Sequence, residues 1–505
     1  MEHRLATRAF WGFVGWGMPL IVVFFVTPGL LRALGVEQFG VLMIIFIAPL
    51  IAVHLDLGLV TVGMRRVALR LTQGKVDAGG TLASLTLALG AIGVLLSTAL
   101  VVMSVQVSSA LGFNSVLGAG ESSTLLRACA AWIVINFLAS VPALVARAAQ
   151  ALTWLAATQT LTTAALWLGA LLLARGAQPL SYIVTLGLTL SAVSAIATLF
   201  AVRRRIDWSG PFRIKRELIV DDAHFAAGTF ASQVAGTIVF HGDRVLVSLL
   251  GSPAMAGAYA LCVNVANKTL AAIVAMTSFA FPHASGLTAP RDRRQFEELS
   301  QSLDRAVIVV IAPALALGVL LAEPFLRLWL GEFSSAELVT AFQILWVAFA
   351  IPAFAVPMSY LLAASGDANL AARFSILAAI VVLVTMAILI PPLGLAGAAF
   401  AMLLGMLVSP VFSLAVRRKL QLPHGSNRAR FWLGVGCGLV VELALLVLLV
   451  ATIDTWVELL LIGVGAWVAF YLTRGTLRLL SVEEMQLVHK LAKTIRNVRN
   501  SWKHS

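Results

Sequence analysis

The chain has 505 residues, of which 60% are hydrophobic and only 12% charged, and its mean hydropathy is +0.96. A water-soluble chain could not keep that much apolar surface from solvent, so the composition excludes a soluble protein and predicts one with many membrane spans. The formal net charge of +13 does not by itself imply nucleic-acid binding, because its meaning depends on which side of the membrane the basic residues occupy.

Arg4 and Arg8 precede an apolar run that is too long for a signal peptide and lacks a small-residue cleavage pattern, so it reads as the first transmembrane helix. Thirteen further runs of bilayer-spanning length follow. The fourteen lie at about 10–33, 39–63, 80–106, 124–146, 152–174, 178–202, 225–250, 255–283, 305–330, 337–363, 370–391, 394–416, 431–452 and 455–473. With the N-terminus inside, the cytoplasmic segments carry thirty Lys and Arg and the outer segments four, Arg32, Arg127, Arg175 and Arg327. This asymmetry puts both termini in the cytoplasm and explains the net charge as attraction to an anionic inner leaflet. A nucleic-acid partner is not needed.

Span one contains Pro19 and Pro28 with Gly12, Gly15 and Gly17, which mark a bendable helix and a candidate hinge. Span two carries His54 and Asp56 ahead of Arg65 and Arg66. Asp56 either pairs with one of these arginines or titrates as a coupling site for H+ or Na+. The longest outer loop, about Val107 to Ser123, is rich in Ser and Gly and has no Lys or Arg. That argues against a membrane glycosyltransferase or glycan polymerase with external catalytic groups. Gly74-Lys75 lacks the preceding glycine of a nucleotide-binding loop, so ATP hydrolysis is not expected. Nothing marks an enzyme, a cofactor or a metal site. Cys129, Cys262 and Cys437 all fall in apolar spans, an odd number that opposes a disulfide framework.

Spans seven and eight meet at Leu250-Gly251-Ser252-Pro253 and hold the densest polarity inside the membrane: His241, Asp243 and Arg244, then Asn264, Asn267 and Lys268. An ionised group near the bilayer centre costs about 2.5–3.5 kcal/mol on insertion scales, so such residues mark function by default. Gln233, Thr237, His241 and Arg244 recur at steps of three and four on one helical face, and Asn264 and Lys268 stand four apart on the next helix. Basic groups with amide, hydroxyl and imidazole neighbours suit an anion. Asp243 can instead pair with Arg244 or Lys268, or serve as a coupling carboxylate, and Glu442 in span thirteen is similarly ambiguous. Two segments look interfacial. Ile206 to Val220 mixes Trp208, Phe212 and Ile214 with Arg213, Lys215 and Arg216. In the tail, Met485, Val488, Leu491, Ile495, Val498 and Trp502 oppose Lys490, Lys493, Arg496 and Arg499, a basic amphipathic helix for the inner surface.

An internal repeat is visible. Leu34-Gly35 followed by Phe39-Gly40 joins spans one and two, and Leu250-Gly251 followed by Ala256-Gly257 joins spans seven and eight. Both odd-numbered spans start inside, so the halves are parallel repeats, a plan of secondary transporters.

Several phrases together resemble the polysaccharide transporter family of the MATE/MOP flippase superfamily, the Wzx-type oligosaccharide flippases. They are Thr27-Pro-Gly-Leu-Leu-Arg-Ala-Leu-Gly-Val-Glu-Gln-Phe-Gly-Val-Leu-Met43; Asp56-Leu-Gly-Leu with Arg65-Arg66; Asp243-Arg-Val-Leu-Val-Ser-Leu-Leu-Gly251 with Gly257-Ala-Tyr259; Glu323-Pro-Phe-Leu-Arg-Leu-Trp-Leu-Gly331; and Ile390-Pro-Pro-Leu-Gly394 with Gly397-Ala-Ala399.

The resemblance implies an all-α polytopic fold of about fourteen transmembrane helices. Six-helix bundles at 1–205 and 225–418 are joined by a linker, 206–224, and followed by two helices at 431–475 and a cytoplasmic tail, 476–505. Many members have twelve helices; two extra C-terminal ones occur in the lipid II flippase branch, which the opening of this chain does not resemble. It implies a flippase in the bacterial inner membrane that moves undecaprenyl-diphosphate-linked oligosaccharides outward for O-antigen, lipopolysaccharide, exopolysaccharide or capsule synthesis. Arg244 and Lys268 would then form the family's cationic cavity around the diphosphate. Gln233, His241, Asn264 and Asn267 would bond phosphate or sugar, and Asp243 or Asp56 would carry H+ or Na+. The alternatives are a multidrug or organic-cation antiporter or a lipid II flippase of the same superfamily. From other classes come a glycan polymerase, and a scaffold that recruits polysaccharide-synthesis proteins through its basic tail.

Overall fold

The computed structural model describes residues 2–72, 79–149, 151–203, 230, 233–277, 293–365, 368–422 and 429–477. The linker 206–224, the start of span seven and the tail beyond residue 477 lie outside the described residues.

The described chain is helical, with eleven runs long and apolar enough to cross a membrane. The expected count was fourteen, and the difference has identifiable causes. α1 (Glu2–Val53) joins spans one and two through Gly35, at φ 76 and ψ 169. That backbone conformation is open to glycine and costly for other residues. Spans eleven and twelve likewise run together through Gly394, at φ 56, just after Pro391 and Pro392. Span seven is described only in part and holds a π turn. Pro19, Pro28 and Pro49 all sit inside α1; the helix continues through each of them and departs from helical geometry at Gly35 instead.

Two compact units divide the chain: Met1–Leu261 with Ser375–Ala398, and Cys262–Phe374 with Ala399–Ser505. In the first, α2 (Leu59–Thr72), α3 (Gly79–Val102), the short α4 (Ser104–Ala110) and α5 (Phe113–Leu117), α6 (Ala119–Ala148), α7 (Leu152–Arg175) and α8 (Leu180–Val202) follow α1. α6 is central and packs on α1, α3 and α8. Its Trp132 donates through Nε1 to Ser191 Oγ at 2.8 Å, which fixes the indole, and Phe46 meets Trp132 and Trp167 edge-on at 6.1 and 5.7 Å.

After the π turn Ile238–Gly242 come α9 (Asp243–Leu250) and α10 (Pro253–Thr277). Here α1 and α10 touch. A Cβ on Gly40 would stand 1.8 Å from the Pro253 carbonyl oxygen, and one on Gly257 would stand 2.8 Å from Gly40 Cα. Only hydrogen side chains permit so close a helix approach, the geometry small residues provide in membranes. Beside this contact Ser248 Oγ donates to the Leu111 carbonyl at 2.9 Å.

The second unit centres on α11 (Arg293–Leu320), which packs on α13 (Ala336–Ala350) and α17 (Ala429–Leu449). Between them in sequence lies α12 (Ala322–Leu330); α14 (Val356–Ala364), α15 (Ala368–Met406), α16 (Val408–Lys419) and α18 (Trp456–Thr476) complete the chain. Pro313 has no N–H to give to the Val309 carbonyl four residues before it. The Tyr471 hydroxyl of α18 donates to that carbonyl instead, at 3.2 Å. Asp304 and Arg417 form a buried ion pair at 2.5 Å. Glu442 is fully buried, with both carboxyl oxygens lacking a hydrogen bond among the described residues.

Candidate functional site

Two interruptions in the helices of the first unit bring its polar residues together. The first splits the expected second span. α1 stops at Val53 and α2 starts at Leu59, with Leu57 and Gly58 both at positive φ, 56° and 76°. Asp56 stabilises the break: its two carboxylate oxygens accept the N–H groups of Gly58 and Val60, each at 2.9 Å. This caps α2 at the terminus where the helix dipole favours negative charge. His54 donates through Nδ1 to the Leu50 carbonyl at 2.7 Å, which fixes its ring.

The second interruption is the π turn, a rare element that concentrates at functional sites. Arg244 follows it. Its Nη1 donates to the Phe240 carbonyl at 3.1 Å, and its backbone N–H donates to Asp243 Oδ1 at 2.8 Å. In an unbroken α-helix those two backbone groups, four residues apart, would face each other; at this junction side chains also serve them. Arg244 Nη1 stands 3.8 Å from Asp243 Oδ1, so the ion pair is local to one helix. Asp243 is fully buried and Arg244 is 5% exposed. The phenol of Tyr259, fully buried on α10, lies against the Asp243 carboxylate.

The two interruptions meet. The His54 and His241 rings lie 6.4 Å apart, tilted by 35°. Gln233 Nε2 donates to Thr61 Oγ1 at 3.1 Å. The first unit therefore gathers Gln233, His241, Asp243, Arg244 and Asp56 around two broken helices. The expected single face on span seven is not straight, because the π turn adds a residue to one turn. Thr237 and Arg244 are buried, and Gln233 and His241 are half-buried. Asn264, Asn267 and Lys268 lie on α10 beyond Leu261, in the second unit; both asparagines are half-buried and Lys268 is exposed.

Neither Tyr259 nor Thr61 stands out in the sequence as a site residue. Tyr259 sits in an apolar stretch with no polar neighbour at helical spacing, so only the fold reveals its partner. Among the described residues no three His, Cys, Asp or Glu side chains cluster as a metal site. Chemically, the site offers a guanidinium with its own carboxylate, a phenol beside that carboxylate, and two imidazoles.

The architecture matches solved membrane transporters. The chain superposes on the lipid II flippase MurJ in an inward closed conformation with a TM-score of 0.68, at 15% identity over 90% of this chain and 98% of that one. It superposes on an inward-facing multidrug resistance MATE family transporter of the MOP superfamily with a TM-score of 0.64, at 14% identity over 81% and 98%. A MOP superfamily transporter from Pyrococcus furiosus gives 0.52, at 15% identity over 83% and 93%. Among curated proteins none matches the sequence significantly. The fold is thus that of the MOP superfamily, in a multi-pass membrane protein. The family model described as "polysaccharide biosynthesis protein" matches residues 30–334, and the chain belongs to that family.

Proposed function

We propose that this protein is a flippase that carries polyprenyl-diphosphate-linked oligosaccharides across the bacterial cytoplasmic membrane for polysaccharide assembly. The observation that carries the reading is the pairing of family membership in polysaccharide biosynthesis with a MOP-superfamily fold. A chain with both handles polysaccharide precursors as a transporter, and at the membrane those precursors are lipid-linked. The buried Arg244 near His241 and His54 supports an anion seat for the diphosphate. At an effective dielectric constant of about 20, a unit charge about 4 Å away contributes roughly 4 kcal/mol. Asp243 holds Arg244 in place when the seat is empty. On sequence grounds alone, Lys268, Asn264 and Asn267 are assigned to the same substrate, and Asp243 or Asp56 to a coupling ion. The Gly40–Gly257 contact lies at the outer ends of the repeats in the orientation set by the basic residues. Alternating access would break and remake it.

The test is translocation in proteoliposomes of a polyprenyl diphosphate tetrasaccharide, scored as the fraction open to an external glycosidase. The variant is the pair Asp243→Asn with Arg244→Gln, which removes both charges and leaves neither unpaired. Protein-dependent translocation that the pair abolishes is the expected result. Translocation by the pair at the wild-type rate would remove the anion seat. No translocation by wild type, with gradient-driven efflux of a cationic dye instead, would replace the reading with an antiporter.

A further inference from the structure

A second feature of the first unit is a cavity of about 550 Å³ lined by α1, α2, α6, α7 and α8. That volume lies within the range of roughly 300–1,000 Å³ typical of ligand pockets. Its wall is unusual for a membrane bundle. α7 supplies Gln159, Thr162 and Thr163, α6 supplies Asn136, and α8 supplies Ser191 and Ser194. Polar side chains inside a membrane are costly unless they find partners or line a wet cavity. Part of this set is committed: Ser191 holds the Trp132 indole, and Asn136 Nδ2 donates to the Trp132 carbonyl at 3.0 Å. The side chains of Gln159, Thr162, Thr163 and Ser194 have no partner among the described residues.

The charge of the wall narrows the ligand. Among the described residues that line it there is no carboxylate, and Arg147 is the one ionised group. A lipophilic cation would find no counter-charge here. The remaining chemistry is amide and hydroxyl groups, which both donate and accept, with the aromatic faces of Trp132 and Phe46 also in the wall. Hydroxyls of a sugar ring match the first set, and the apolar face of a pyranose matches the second. Leu50, Val53 and Val60 in the wall bracket the helix break that carries His54 and Asp56, so the cavity adjoins the proposed diphosphate seat.

We propose that this cavity binds the sugar rings of the substrate, beyond the one joined to the diphosphate. The inference rests on the flippase reading and deepens it. The seat around Arg244 holds the lipid diphosphate, and this cavity selects for the glycan.

The experiment compares two probes in proteoliposomes: a polyprenyl diphosphate carrying a neutral tetrasaccharide, and one carrying a single N-acetylhexosamine. The variant Gln159→Leu with Thr162→Val and Thr163→Val keeps shape and removes the uncommitted polar groups. Each net hydrogen bond is worth about 1 kcal/mol, so loss of two slows tetrasaccharide translocation by about thirtyfold. Movement of the single-sugar lipid stays within about twofold of wild type. Equal loss of both probes, or no loss of either, would overturn the sugar assignment and leave the flippase reading standing. Failure of wild type to move either probe would overturn the flippase reading itself. Restoration of polarity by Gln159→Asn with Thr162→Ser and Thr163→Ser should recover most of the tetrasaccharide rate. No recovery there would also count against the assignment.

Discussion

Gly40→Ala is the sharpest probe of how α1 and α10 fit. The added methyl would stand 1.8 Å from the Pro253 carbonyl oxygen and 2.5 Å from its carbon, and ordinary contact begins at 3.4 Å. Relief requires a movement of about 1.6 Å, the difference between 3.4 and 1.8 Å, and the obstructing atoms are backbone. Overpacking of this kind costs about 1–3 kcal/mol. An equilibrium between states that make and break the contact shifts by the corresponding factor of roughly 5 to 150. Gly257→Ala meets Gly40 Cα at 2.8 Å and should act in the same direction, more weakly. Gly465→Ala is the control, since its methyl would meet nothing within 4 Å. There the helix gains up to about 1 kcal/mol. The assay is the melting temperature of purified protein in detergent, read together with labelling of a cysteine placed at Leu34. Gly40→Ala should melt lower than wild type and label faster, while Gly465→Ala should melt at or above it. If Gly40→Ala behaved like Gly465→Ala, the close approach of α1 and α10 would be refuted.

Other consequences are smaller in scope. Asp304→Asn removes the buried carboxylate that Arg417 meets at 2.5 Å and should destabilise by about 3–5 kcal/mol, whereas Asp304→Leu with Arg417→Met should recover most of the loss in the same melting assay. Glu442→Met removes a fully buried carboxyl that has no hydrogen bond among the described residues, so the melting temperature should rise, by an amount equivalent to about 1–3 kcal/mol. Leu57→Gly relieves a left-handed residue at φ 56 and should stabilise by up to about 1 kcal/mol; a clear loss of stability would show that the leucine side chain matters more than its backbone.

Much of the architecture is legible in the sequence because a membrane makes length and hydropathy sufficient to mark a helix. The turns were legible where chemistry forces them: Gly35 sits between the first two spans, and Pro391-Pro392-Leu393-Gly394 between the eleventh and twelfth. The interruptions were not. Residues 54–58 read as part of a continuous span because Leu55 and Leu57 keep the hydropathy high across the break. Asp56 followed by Leu57-Gly58 was the available signal, a helix cap before a glycine. The π turn leaves no mark in Ile238-Val-Phe-His-Gly242, since one extra residue per turn changes register and not composition. The polar cavity was hidden for a related reason: threonine and serine scattered through apolar helices at ordinary frequency gain meaning only when α6, α7 and α8 aim them at one space.

The contact between Gly40 and Gly257 also restricts how either position can change. A Cβ at Gly257 would meet the Gly40 backbone and a Cβ at Gly40 the Pro253 backbone, so neither site can take a larger residue unless the facing chain gives way. A substitution at one glycine is therefore tolerated only with a backbone shift at the other, and the two are bound to vary as one unit.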